Sequence, residues 1–107
     1  KKIRKNYYKK IIIIKGGKER SDSSIISLKF LKKFNPNNVL IHDAARPNFS
    51  INLIRKIIKK LKKHSSVIPV VNPSDSIKYK LKKHLYNLNR DKTFLTQTPQ
   101  GFKFKKL

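Results

Sequence analysis

The 107-residue sequence reads as an α/β chain built on a mostly parallel sheet. Three observations point there. Short β-branched runs alternate with longer helical patterns in the order β-α-β-α-β. The links between them are short, which favours right-handed crossovers between parallel strands. The strand candidates are also continuous apolar runs rather than alternating ones, as expected where helices cover both faces of a sheet.

The elements follow in order. Residues 1–8 are polar and basic and give no clear pattern. Lys10 to Lys15 encloses four isoleucines and ends at Gly16-Gly17, which reads as a buried strand and a tight turn. Ser23 to Phe34 carries apolar residues at helical spacing, with Asp22 or Ser23 as N-cap. Asn35-Pro36-Asn37-Asn38 is a turn. Val39 to His42 is the second strand, and Asp43 to Phe49 a loop. Ser50 caps a helix whose apolar stripe is Ile51, Ile54, Ile57, Ile58 and Leu61, with Arg and Lys on its other face. Ser66 to Val71 is the third strand. Beyond it the pattern becomes irregular. Ile77–Lys80 and His84–Leu88 suggest a hairpin-like excursion, Asn89-Arg90-Asp91 a turn, and Thr93–Gln97 a return strand. Thr98-Pro99-Gln100-Gly101 breaks that strand, and Phe102 to Leu107 is expected to begin a helix.

Composition bounds the function. Val, Ile, Leu and Phe make up 34 of 107 residues, well above the level of roughly 20% below which a highly charged chain stays disordered. No apolar run approaches the ~20 residues of a spanning helix. The chain has no Cys, so disulfides and thiolate metal sites are excluded. The formal net charge of +23 invites a nucleic-acid partner. Against that, Lys outnumbers Arg 23 to 5, and the excess is scattered. Arg is the better reader of bases and phosphates. Lys, Ile and Asn, whose codons are A/T-rich, account for 46 of 107 residues. Compositional drift in an A/T-rich genome therefore explains the charge without a polyanion partner. The chain begins at Lys1 and contains no Met, so it reads as an internal or trimmed segment of a longer protein.

Ligands of open α/β sheets bind beyond the carboxyl ends of the strands. That directs attention to the loops Gly16–Ser23, Asp43–Phe49 and Asn72–Ser76. Four of the five acids, Glu19, Asp22, Asp43 and Asp75, fall in or beside them. An Asp at a strand end can hold Mg²⁺, which takes one or two carboxylates plus substrate phosphates. On spacing alone, an Asx hydrogen bond that caps the loop explains Asp43 at least as well. His42 reads as a packed or hydrogen-bonded strand residue, and His64 and His84 as surface residues.

Val39-Leu-Ile-His-Asp-Ala-Ala-Arg-Pro47 resembles the strand-end signature of the 2-C-methyl-D-erythritol 4-phosphate cytidylyltransferases of the non-mevalonate isoprenoid pathway. Further segments resemble that family in the same order. Gly16-Gly-Lys-Glu-Arg-Ser-Asp-Ser23 is similar to its Gly-Gly-x-x-Arg-x-x-Ser loop, and Pro69-Val-Val-Asn-Pro-Ser-Asp-Ser-Ile-Lys78 to its Pro-Val-x-Asp-Thr-Ile-Lys segment. Asn89-Arg90 and Thr96-Gln-Thr-Pro-Gln-Gly-Phe102 are similar to its Arg followed by Gln-Thr-Pro-Gln. The ribitol-phosphate cytidylyltransferases share the scaffold, but Asp-Ala-Ala-Arg-Pro leans toward the erythritol-phosphate branch.

The resemblance implies a doubly wound, Rossmann-like nucleotidyltransferase sheet. It also implies a protruding β-arm at about residues 72–92 that clasps a second subunit. Residues 1–107 would then be the central part of one domain, with the family's Gly-rich triphosphate loop upstream and its closing basic segment downstream. By itself this segment is expected to lack transferase activity, and a fused cyclodiphosphate synthase domain remains open. The implied reaction is cytidylyl transfer from CTP to methylerythritol phosphate, assisted by Mg²⁺ or another divalent cation. The implied setting is a cytoplasmic homodimer without nucleic-acid or membrane partners. By the same resemblance, Asp43, Arg46 and Thr98 are the catalytic residues, and Asp43 is the metal-associated one. Gly17, Ser23 and Ala44 meet the nucleotide, and Ser76 and Arg90, on the arm, reach the neighbouring subunit's phosphate site. The family has Thr where Ser76 stands, which keeps the hydroxyl. For Ser23 a helix N-cap role stays open beside the nucleotide role. Arg20 also matches a family residue, with structural pairing to Glu19 or Asp22 as the expected role.

Overall fold

The computed structural model describes residues 11–107; the start of the strand expected from Lys10 lies outside that range. The chain divides into two compact units, Lys1–Pro36 and Asn37–Leu107.

In the first unit the expected strand is absent: residues 11–17 carry no regular structure, and Ile13 is 76% exposed. A β-branched run becomes a strand only where another strand offers its N–H and C=O groups. Among the described residues none does so here. Helix α1 spans Arg20–Leu31, three residues earlier than expected, and a 3₁₀ turn, Lys32–Phe34, follows it. Its N-cap is Glu19, not Asp22 or Ser23. Asp22 sits three residues inside the helix, where its Oδ2 accepts from the Glu19 N–H at 3.2 Å, the return half of a capping box. No residue of α1 is buried. Asn35 ends the unit in the left-handed region (φ 47°), its N–H donating to the Lys32 carbonyl at 3.1 Å, just before Pro36. The expected turn is therefore in place.

The second unit holds β1 (Asn38–Ile41), α2 (Ile51–Leu61), β2 (Ser66–Val67), β3 (Val70–Val71), β4 (Lys78–Leu81), β5 (His84–Asn87), a 3₁₀ turn (Arg90–Lys92), β6 (Leu95–Thr96), β7 (Gln100–Lys103) and a second 3₁₀ turn (Phe104–Lys106). Helix α2 starts where the sequence says, since the Ser50 Oγ accepts from the Leu53 N–H at 3.0 Å. Of its apolar stripe, Ile57 and Leu61 are buried, while Ile51 and Ile58 at its edges stay exposed.

The main sheet has the order β1-β7-β2, and β7 pairs antiparallel with both neighbours. β1 and β2 therefore run in the same direction, as a β-α-β crossover requires, yet they do not touch. This corrects the expected mostly parallel sheet: every ladder among the described residues is antiparallel. The cause is β7, which occupies the slot between the two parallel strands. The segment expected to begin a helix is instead the central strand as far as Lys103, with only a 3₁₀ turn after it.

Gly101 explains how α2 reaches that strand. A Cβ there would lie 2.3 Å from Ile57 Cγ2, 3.0 Å from Leu61 Cδ1 and 3.2 Å from Leu40 Cδ2. Only a residue without a side chain lets the helix seat on the middle of the sheet.

The expected third strand is also split. β2 joins the main sheet, whereas β3 pairs with β6 in a separate two-stranded ladder. Pro69 stands at the break. It has no N–H to donate, but its carbonyl accepts from the Gln97 N–H at 2.8 Å. The hairpin-like excursion is present as β4–β5, turned at Lys82, which has φ 54°. Every residue of both its strands is exposed.

Candidate active site

The site is built where β1 ends beside the start of β7. The β1–β7 register pairs Ile41 with Gln100. Two residues further out, that register sets Asp43 opposite Thr98, 55 positions away, and the Asp43 N–H donates to Thr98 Oγ1 at 3.2 Å. Thr98 is 9% exposed and precedes Pro99 through a cis peptide bond. The sheet thus joins two of the expected catalytic residues by a backbone-to-side-chain bond.

The third is one turn away. The Arg46 N–H donates to the Asp43 carbonyl at 3.0 Å, closing a turn that leaves Ala44 exposed at its tip. Arg46 Nε stands 3.6 Å from Asp43 Oδ2, and another guanidinium nitrogen donates to Gln97 Oε1. The Arg46 side chain is 46% exposed, so its charge is held in place yet open to an anion. Asp43, Ala44, Arg46 and Thr98 therefore form one cluster at a strand end, as expected.

Gln97 is a residue that sequence reasoning passes over. Gln97 was read only as part of the Thr-Gln-Thr-Pro-Gln segment, because nothing local marks it as a partner for a residue 51 positions away. His42 Nε2 lies 2.7 Å from the Arg46 carbonyl, and its ring meets Phe49 edge-on at 4.6 Å. His42 is hydrogen-bonded and packed, within the expected alternatives, but it lies one residue beyond β1 rather than in the strand.

Arg90 belongs to a second local cluster. Its Nη1 donates to the Ser74 carbonyl at 2.8 Å. The Asn72 side-chain amide bridges the Arg90 and Thr93 carbonyls at 3.2 Å each. Asn72 is a second residue missed, one that fastens the base of the hairpin. Ser76 is exposed between β3 and β4.

Gly17 and Ser23 lie in the first unit. The Gly17 N–H donates to Ser23 Oγ at 3.0 Å, and that hydroxyl donates to the Glu19 carbonyl at 3.2 Å. A Cβ on Gly17 would stand 2.2 Å from the Asp22 Cβ. Both residues have a structural task, folding the loop back on the start of α1. Ser23 does this from inside the helix, not as its N-cap.

No cluster of three or more His, Cys, Asp or Glu side chains that could cage a metal occurs among the described residues. Glu19 and Asp22 are spent near the helix start, which leaves Asp43 as the carboxylate of the β1-end cluster. A hard cation held there by one carboxylate fits only if substrate phosphates complete its shell. Among the described residues no helix is long and apolar enough to cross a membrane.

The family model for IspD, 2-C-methyl-D-erythritol 4-phosphate cytidylyltransferase, matches residues 1–107. The chain belongs to this cytidylyltransferase family. It is 47% identical over 105 residues to the bifunctional enzyme IspD/IspF of Pelagibacter ubique, covering 98% of this chain and 28% of that protein. It is 41% identical over 106 residues to the 2-C-methyl-D-erythritol 4-phosphate cytidylyltransferase of Clostridium tetani, covering 96% of this chain and 42% of that protein. Among solved structures, it is similar to the 4-diphosphocytidyl-2C-methyl-D-erythritol synthase of Anaerococcus prevotii. The TM-score there is 0.81 at 31% identity, covering 98% of this chain and 50% of the other. The chain thus spans half or less of the length of each of these cytidylyltransferase relatives, and its mixed α/β architecture is theirs.

Proposed function

We propose that the full-length protein transfers the cytidylyl group of CTP to 2-C-methyl-D-erythritol 4-phosphate, releasing pyrophosphate. The observation that carries this reading is the convergence of Asp43, Arg46 and Thr98 at the carboxyl end of β1. A phosphate oxygen of the sugar phosphate attacks the α-phosphorus of CTP, and the bond from that phosphorus to the bridging oxygen of pyrophosphate breaks. The attacking oxygen is already anionic, so no general base is required. The protein's work is to hold two mutually repelling polyanions in line and to balance charge as the bond changes hands.

Each residue then has a task. Arg46 presents a guanidinium to the sugar phosphate, steadied by Asp43 and Gln97. The buried Thr98 fixes the backbone of Asp43, and its hydroxyl borders the reacting phosphate. Asp43 would hold a Mg²⁺ ion, which when bound supplies Lewis-acid charge neutralisation. Ala44 offers backbone groups at the loop tip, Gly17 approaches the nucleotide through its backbone, and Ser23 lies near the nucleotide. Ser76 and Arg90 serve the substrate phosphate from the arm. The sheet belongs, in this reading, to a doubly wound nucleotidyltransferase domain acting in the cytoplasm. Incubation of the purified full-length protein with CTP, Mg²⁺ and methylerythritol phosphate is expected to yield the cytidine diphosphate adduct by mass spectrometry. Turnover only with ribitol phosphate would move the protein to the sister branch.

We infer further that β4–β5 is an arm that a second copy of the chain covers. Tyr79 and Tyr86 stack across the hairpin at 5.2 Å, and Leu81, on the same face of the ladder, stands 57% exposed beside them. An exposed two-stranded hairpin is marginal alone, and burial of this apolar strip against a partner would stabilise it. Leu81→Asp is expected to convert a dimer to a monomer in sedimentation velocity. An unchanged sedimentation coefficient would remove the arm from the interface.

A further inference from the structure

We propose that His42 is a positioning residue for Arg46, which deepens, and rests on, the assignment of Arg46 to the sugar phosphate. A carbonyl oxygen only accepts, so at 2.7 Å from the Arg46 carbonyl His42 Nε2 must carry the proton. The backbone of Arg46 is then fixed from both sides. Its N–H is bound by the Asp43 carbonyl and its C=O by the imidazole. With both peptide groups held, the direction in which the side chain leaves the loop is set. Asp43 Oδ2 and Gln97 Oε1 settle the orientation of the guanidinium at the far end. A group fixed in this way loses little freedom on meeting its substrate.

A packing role does not account for this imidazole. Its ring lies edge-on to Phe49 at 4.6 Å, a contact that a phenyl ring would make as well. Its Nδ1, by contrast, is buried and has no hydrogen-bond partner among the described residues. A buried polar atom left unpaired is unfavourable, so packing alone favours an apolar ring here. What the imidazole adds is the Nε2 hydrogen bond to Arg46.

The test uses the full-length protein and steady-state kinetics with each substrate varied in turn. His42→Phe keeps the ring and deletes the donor. It is expected to raise the KM for methylerythritol phosphate about tenfold, the size of one lost hydrogen bond. The KM for CTP should stay within about twofold. His42→Gln, whose amide nitrogen can reach the Nε2 position, should return most of that loss. In an Arg46→Ala background, His42→Phe should cost nothing further, because its effect passes through Arg46. Melting curves accompany each variant, and His42→Leu replaces His42→Phe if the phenyl ring prevents folding. A parallel rise in both KM values, an unrescued His42→Gln that melts normally, or additive loss with Arg46→Ala overturns the proposal. If Arg46→Ala itself leaves the sugar-phosphate KM unchanged while His42→Phe raises it, the assignment of Arg46 fails and this proposal with it. If Arg46→Ala raises that KM and His42→Phe does not, only the positioning role fails.

Discussion

Asp43→Ala in the full-length protein is expected to lower kcat for CTP-dependent pyrophosphate release by about three orders of magnitude, at the upper end of what one charge-stabilising group supplies. Two losses combine in that variant: the single carboxylate of the β1-end cluster, and the partner 3.6 Å from Arg46 Nε. The fold should barely notice. The bond that ties this loop to the sheet comes from the backbone N–H of residue 43 to Thr98, and any side chain leaves it in place. The ion pair itself is partly exposed and stabilises by no more than about 1 kcal/mol. A normal melting curve with turnover lost is therefore the expected pair of results. Binding to duplex DNA should be unchanged or stronger in the same variant, since a negative charge has been removed from a chain of net charge +23. Retained turnover would exclude Asp43 from the reaction.

Gly101→Ala is expected to reduce the stability of the second unit by about 2 kcal/mol, the usual scale for forcing one carbon into a packed core. The new methyl would meet Ile57 Cγ2 at 2.3 Å, and Ile57 is only 2% exposed, so the neighbour has nowhere to retreat. Gly101→Val should be worse. The diagnostic is the pair Gly101→Ala with Ile57→Ala. Ile57→Ala alone opens a cavity and costs about 3 kcal/mol. Combined, the new methyl occupies part of the space the old side chain vacates, and the loss should fall short of the sum. Urea titration of the four proteins measures it. Strict additivity would show that helix α2 does not seat on Gly101.

Much of this was legible in the sequence because the signals were local. Ser50 before an apolar stripe announces α2, three apolar residues before His42-Asp43 announce β1, and Asn35-Pro36 announces a stop. The Asp43-Ala-Ala-Arg46 turn and Thr98 were legible as candidates through the family resemblance of contiguous segments, since spacing alone explains Asp43 equally well as a loop cap. What could not be read depended on distant partners. Phe102 to Leu107 has helix-compatible spacing, and Gly101 looks like a breaker. Its place in mid-sheet follows from Ile57 and Leu61 lying over it, a tertiary fact. Ile11 to Ile14 has strand composition, but composition does not supply a neighbour. Gln97 and Asn72 act on residues 51 and 18 positions away, and no spacing rule points to such partners.

The order β1-β7-β2 has a consequence for how the second unit comes together during synthesis. β7, which lies between β1 and β2, emerges from the ribosome well after the two strands it joins. Until then β1 and β2 present open edges on a strongly cationic nascent chain, and their mutual repulsion guards them from pairing with other chains. The closing contacts span long sequence separations, which slows folding. Thr98 arrives on the same segment as β7. The hydrogen bond that sets Asp43 in place therefore forms only as β7 joins the sheet, so the ordering of the β1-end loop and the seating of α2 on Gly101 come as one late event.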